Sequence, residues 1–169
     1  IHDKMISFDD EIERLHYLVD NNFYFNVFEK YSEAELSEIT EYAKSIHFQF
    51  ASYMSASKFY KDYALKTNDK TKFLEDYNQH VAIVALYLAN GNVKQAKQFI
   101  SAMVEQRYQP ATPTFLNAGR ARRGELVSCF LLEVDDSLNS INFIDSTAKQ
   151  LSKIGGGVAI NLSNLRARG

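Results

Sequence analysis

Apolar residues recur at helical intervals through most of the first hundred positions. Ser7 stands three residues before Asp10, a capping-box spacing, and Ile12, Leu15 and Val19 follow on one face. Ser32 and Glu35 repeat the box. After them Leu36, Ile39, Ala43, Ile46, Phe50 and Met54 alternate by three and four, which predicts one long helix with a single apolar stripe. Val81, Val84, Ala85 and Leu88 form a shorter stripe that Asn90-Gly91 would end with a left-handed cap. Val93, Ala96, Ile100, Met103 and Val104 form the next. Such stripes are buried only against one another, so residues 1–108 are predicted to be a helical domain.

The pattern changes after Pro110. Leu126 to Val134 is a nearly continuous apolar run, too short for a surface helix, and predicts a buried strand. Asp135-Asp136-Ser137 offers a turn and an N-cap, and Ile141, Ile144, Ala148 and Leu151 then fall at helical spacing. Gly155-Gly156-Gly157 stops that helix, and Val158 to Leu162 predicts a second strand. Strand, helix, strand is the unit of parallel sheets, and two strands cannot make a sheet with both faces covered. Residues 109–169 are therefore expected to begin a larger α/β body, giving a mixed α/β chain.

Composition removes several classes. Among 169 residues, 19 Lys and Arg stand against 21 Asp and Glu, a net charge of −2 that does not suit a phosphate-binding nucleic-acid partner. With 46% hydrophobic and 24% charged residues the chain is not disordered in character. No apolar run reaches the roughly 18 residues of a membrane span. Ile1-His2-Asp3-Lys4-Met5 has no leader-like pattern, and the single cysteine cannot form an internal disulfide. No nucleic acid, no membrane and a cytoplasmic location are the expectations.

Candidate chemistry lies mostly in the second part. Cys129 is either a small apolar filler of a buried strand or a redox or nucleophilic thiol that needs a partner. The triple glycine runs from a helix into a strand, the reverse of a phosphate-cradling loop, so it is no dinucleotide fingerprint. One glycine would serve as a cap; three admit a close approach by another backbone or a ligand. Arg120, Arg122 and Arg123 form one basic cluster and Lys153, Arg166 and Arg168 a looser one, read as solvated surface or as phosphate contacts near the helix start at Asp136-Ser137. The 12 Phe and 10 Tyr suit a core. His2, His16, His47 and His80 show no ligand spacing, so no metal is expected.

Two longer stretches carry a family likeness. They are Arg107-Tyr108-Gln109-Pro110-Ala111-Thr112-Pro113-Thr114-Phe115-Leu116-Asn117-Ala118-Gly119 and Arg122-Arg123-Gly124-Glu125-Leu126-Val127-Ser128-Cys129-Phe130-Leu131, continued by Gly155-Gly156-Gly157-Val158 and Asn161-Leu162-Ser163-Asn164-Leu165-Arg166. Together they resemble the large subunit of class I ribonucleotide reductase, most like the bacterial class Ib form, and Phe59-Tyr60-Lys61-Asp62-Tyr63-Ala64-Leu65-Lys66-Thr67 fits the same subunit's N-terminal region. The likeness covers nearly the whole chain. It implies a helical N-terminal domain followed by the first strands of a ten-stranded α/β barrel. It also implies reduction of ribonucleoside diphosphates to deoxyribonucleotides by thiol-radical chemistry.

The same resemblance implies residue roles. Cys129 would be one thiol of the redox pair that reduces the substrate, its partner lying outside this sequence. Thr112, Ser128 and Gly157 would contact substrate. Asp136, Ser137 and Leu138 would belong to a site for a deoxynucleoside triphosphate effector at a homodimer interface, with Lys153 and Arg166 as effector-side cations. No cofactor is implied in this chain; a metal–tyrosyl radical, dimanganese or diiron, is implied in a partner small subunit. A thioredoxin or glutaredoxin-like reductant and the remaining part of the large subunit complete the implied partners. The radical-bearing cysteine is absent, so an N-terminal fragment that is inactive alone is expected. The alternative is a non-catalytic helical interaction module with an effector-binding segment, in which Cys129 is core filler and the arginines are surface.

Overall fold

A computed structural model describes residues 2–122 and 124–167, and Arg123 and Arg168 of the two basic clusters lie outside the described residues. The chain divides into two compact units, residues 1–123 and 124–169. The change of pattern at 108/109 therefore precedes the geometric division, because a further short helix still folds with the first unit.

The first unit holds α1 (Glu11–Asp20), α2 (Glu33–Ser45), α3 (Tyr53–Asp62), α4 (Tyr77–Ala89), α5 (Val93–Val104) and α6 (Thr112–Asn117). Helix α4 is the centre. It packs on α2, α5 and α6, and it is buried almost all round, with Val81, Ile83, Val84, Ala85 and Leu86 all inside. Each large apolar side chain hidden this way contributes about 1.5–3 kcal/mol. Its start is fixed by a capping box between Asp76 and Gln79, and its end by Asn90 at φ +46°, the left-handed cap expected there. Helix α5 also spans its predicted stripe, from an Asn92 cap to Val104.

Two expectations for this unit differ from what is seen. Asp10 rather than Ser7 caps α1, accepting from the Glu13 N–H. The long helix from Leu36 to Met54 is two helices. Helix α2 stops at Ser45, and Ile46 turns extended (φ −83°, ψ 118°). Ser52 then opens α3 with its own capping box to Ser55. The reason is local: Ile46-His47-Phe48-Gln49-Phe50 places bulky β-branched and aromatic residues in a row, and Ser52 competes as a cap. Phe48 stacks on Tyr77 at 3.8 Å between ring centres, and Phe50 packs edge-on against both of them. Met54, the last residue of the supposed stripe, is exposed.

The second unit is a strand–helix–strand unit: β1 (Cys129–Glu133), α7 (Leu138–Lys153) and β2 (Gly157–Asn161). The strands pair in parallel, with Cys129 opposite Gly157, Leu131 opposite Ala159 and Glu133 opposite Asn161. Strand β1 is shorter than the run Leu126 to Val134 and is not buried; its burial alternates, and Leu131 is 85% exposed. Helix α7 packs on the two strands, and the face bearing Cys129, Leu131 and Glu133 is left open. Of the α7 stripe Ile141, Ile144, Ala148 and Leu151, only Ile144 is fully buried.

Candidate functional site

Cys129 opens β1 and is exposed, not packed into an interior of this unit. Its Sγ lies 3.7 Å from the Ser128 hydroxyl oxygen, and the Ser128 carbonyl accepts the Gly157 N–H at 2.7 Å. Serine, thiol and glycine are thus assembled by the parallel register at one end of the sheet. The three glycines beside them have separate causes. Gly155 ends the helix at φ +92°, a left-handed conformation that side chains disfavour. A Cβ on Gly156 would overlap the Phe130 ring, so that glycine serves packing. Gly157 meets only ordinary contact, with its nearest atom the Ser128 carbonyl oxygen at 3.4 Å. Its bare backbone, next to an exposed thiol, leaves room for a ligand.

A second group forms at the other end of the unit. Ser137 caps α7, its hydroxyl accepting the Ser140 N–H at 3.2 Å. Asp136, just before it, pairs with Arg166 Nε at 3.1 Å. Leu138, the first residue of the helix, is exposed. An anion-favouring helix start, a carboxylate and a guanidinium therefore stand together. Lys153 does not join them: it ends α7, roughly 22 Å of helix away at 1.5 Å per residue.

Thr112 belongs to the first unit. It is exposed, begins α6, and lies with Phe48, Tyr63, Tyr77 and Phe115 on a cleft of about 370 Å³. Arg120 is also in this unit, and it is neither solvated surface nor free to hold a phosphate. It is 8% exposed, and its guanidinium donates to both Glu75 carboxylate oxygens, at 2.5 and 3.1 Å, and to the Tyr63 carbonyl at 3.2 Å. Arg122 is exposed.

Glu75 is the hub of a buried polar network that motif reasoning missed. It also accepts from the Tyr24 hydroxyl, the Leu65 N–H (2.8 Å) and His80 Nδ1 (2.7 Å). His80 Nε2 donates to the Phe115 carbonyl at 2.7 Å. Arg14 donates to the Tyr24 hydroxyl and the Leu74 carbonyl, each at 3.0 Å. Burial alone would raise the Glu75 carboxyl, but Arg120 and His80 beside it hold it well below the usual carboxylate range. Burial, reinforced by Glu75, pushes the Tyr24 hydroxyl far up and keeps it neutral. No motif marked these residues, since the contacts that join the network across the unit are distant in sequence: Arg120 and Glu75 are 45 positions apart, Tyr24 and Glu75 51.

Among the described residues no group of three or more His, Cys, Asp or Glu side chains is arranged to hold a metal ion, and no helix is long and apolar enough to cross a membrane.

A helical unit followed by the thiol-bearing opening of a parallel sheet has a clear counterpart among known families. Residues 1–48 match the ribonucleotide reductase N-terminal model, residues 49–123 the ribonucleotide reductase all-alpha domain, and residues 127–169 the ribonucleotide reductase barrel domain. The chain belongs to the ribonucleotide reductase family, in the large-subunit branch. It is 54% identical over its whole length to the ribonucleoside-diphosphate reductase subunit alpha of Bacillus subtilis, of which it covers 24%. The corresponding alpha subunit of Bacillus phage SPbeta is 55% identical over the whole chain, with 16% of that protein covered. That of Mycoplasma pneumoniae is 48% identical over 93% of the chain, with 22% covered. The chain thus spans a quarter or less of the length of these relatives, and the likeness to the bacterial class Ib large subunit read from the motifs holds.

Proposed function

We propose that this chain is the part of a ribonucleoside-diphosphate reductase large subunit that supplies the first redox thiol, the first substrate contacts and an effector-binding helix start. The observation that carries this reading is the exposed Cys129 in register with Gly157, beside a backbone that a ligand can approach. In the reaction the C2′–OH bond of a ribonucleoside diphosphate breaks, its oxygen leaves as water, and C2′ gains hydrogen. The two electrons come from Cys129 and a second cysteine, whose thiols become a disulfide. This sequence holds one cysteine, so the second belongs to the remaining part of the large subunit. A thioredoxin or glutaredoxin-like dithiol reopens the disulfide by exchange. A metal–tyrosyl radical, dimanganese or diiron, in a small subunit supplies the initiating oxidation when that partner is bound. Ser128 and Gly157 hold the nucleotide through hydroxyl and backbone hydrogen bonds. Thr112 is carried as a further substrate contact by the family likeness alone. The assembly works in the cytoplasm, and the chain alone is inactive.

The second part of the reading places a deoxynucleoside triphosphate on Asp136, Ser137, Leu138 and Arg166, at a contact between two large subunits. The carboxylate suits a ribose hydroxyl; the helix start and the guanidinium suit phosphate. Lys153, at the far end of α7, stays outside this group. Asp136→Ala in the complete subunit is expected to weaken effector binding about tenfold or more, the scale of a lost hydrogen bond to a charged group, and to abolish effector-dependent dimerisation. Light scattering with and without the triphosphate reads it directly; an unchanged dimer contradicts the assignment.

A further inference from the structure

The buried network has a feature that core stabilisation alone does not require. Residues 23–25 and 119–121 meet in a single antiparallel bridge, Tyr24 opposite Arg120: Phe25 N–H donates to the Gly119 carbonyl and Ala121 N–H to the Phe23 carbonyl, both at 3.0 Å. So short a ladder is marginal by itself. The two residues facing each other at its centre, Tyr24 and Arg120, both turn inward to the same carboxylate, Glu75. Both guanidinium groups, Arg14 and Arg120, lie 5.6 Å from the centre of the Tyr24 ring. Gly119 allows the close seat, since a Cβ there would stand 2.7 Å from Ile83 Cγ1 and 2.9 Å from the Ile83 carbonyl oxygen of α4. Arg14 and Tyr24 come from the segment 1–48, whereas Glu75, His80 and Arg120 come from 49–123. Residues 119–121 lie near the end of the first unit, shortly before position 124, where the unit that carries Cys129 begins.

We infer that Tyr24, Glu75 and Arg120 form a clasp through which the N-terminal segment holds the stretch of chain leading to the thiol-bearing unit. Closed, the clasp fixes residues 119–121 on the helical unit. Loss of the Tyr24 hydroxyl leaves Glu75 and Arg120 paired but unties residue 24 from the carboxylate that holds the facing strand, so the single bridge opens locally.

Hydrogen–deuterium exchange on the full chain tests this inference. Tyr24→Phe keeps the ring and removes only the hydroxyl. The amides of Phe25 and Ala121 are expected to exchange about tenfold faster or more, while those of Ile100 in α5 and Ile144 in α7 keep their rates. Unchanged rates at Phe25 and Ala121 overturn the inference. An equal rise throughout α4 and α5 overturns it too, because the network would then be a general support of the core. Arg120→Lys, which keeps the charge but loses the two-pronged contact, is read by the same amides if Tyr24→Phe does not fold.

Discussion

Cys129→Ser in the complete enzyme is expected to lower turnover on the order of 10⁴-fold, the scale of removing one member of a set of groups that act together. A hydroxyl matches the thiol in shape but cannot give up its hydrogen and form a disulfide, so two-electron reduction of the substrate stops. The change removes no methylene and replaces one small side chain by another of nearly the same shape, so it should move stability by no more than about 0.5 kcal/mol. Steady-state assay and thermal melting of the one variant separate the two effects. Lost turnover with an unaltered melt is the expected pair, and retained turnover removes Cys129 from the reaction.

The largest expected effect on folding lies elsewhere. Glu75→Leu should destabilise the helical unit by about 3–5 kcal/mol, because it leaves Arg120 buried without its counter-charge and His80 Nδ1 and the Tyr24 hydroxyl without their acceptor. That is a large share of the total margin of about 5–15 kcal/mol for a domain. Denaturant unfolding followed by far-ultraviolet circular dichroism measures it, and a loss under about 1 kcal/mol would mean that the network contributes little. The wild-type pH dependence has a definite sign. The folded Glu75 carboxyl titrates well below its ordinary value of 4.5, so its stabilisation is complete above about pH 4.5. It is lost as pH falls from there through the depressed folded value. Glu75→Leu should therefore flatten the acid side of the stability curve.

The parts of the fold legible in the sequence are those governed by neighbours in the chain. The Asn90 cap, the α5 stripe and the strand–helix–strand order are set by spacing and turn chemistry within a few residues, and they stand as read. The break between α2 and α3 was hidden because Ile46, Phe50 and Met54 keep the helical interval by coincidence, while Phe48 and Phe50 go instead to the aromatic cluster around Tyr77. Helix α6 carried two prolines' worth of turn signal around a six-residue segment, too short for periodicity to speak.

The site divides the same way. Cys129 and the triple glycine announced themselves by composition, and parallel pairing brings them side by side. That only one of the three glycines is left bare for a ligand required knowing where Phe130 points. Arg120 was misread because its charge has the same meaning in sequence whether it meets water or Glu75; burial distinguishes them, and its partners are far away along the chain. Of the residues expected at an effector site, Asp136 and Arg166 pair with each other, whereas a helix length separates them from Lys153.

The central claim is that Cys129 gives its hydrogen and its electron to the nucleotide. Its most direct test is a single turnover of the complete reductase without external dithiol, quenched with an alkylating reagent and mapped by mass spectrometry. The prediction is that the peptide bearing Cys129 is recovered in disulfide linkage to a second cysteine, in proportion to deoxyribonucleotide formed. Recovery of that peptide fully alkylated, with product present, would contradict it.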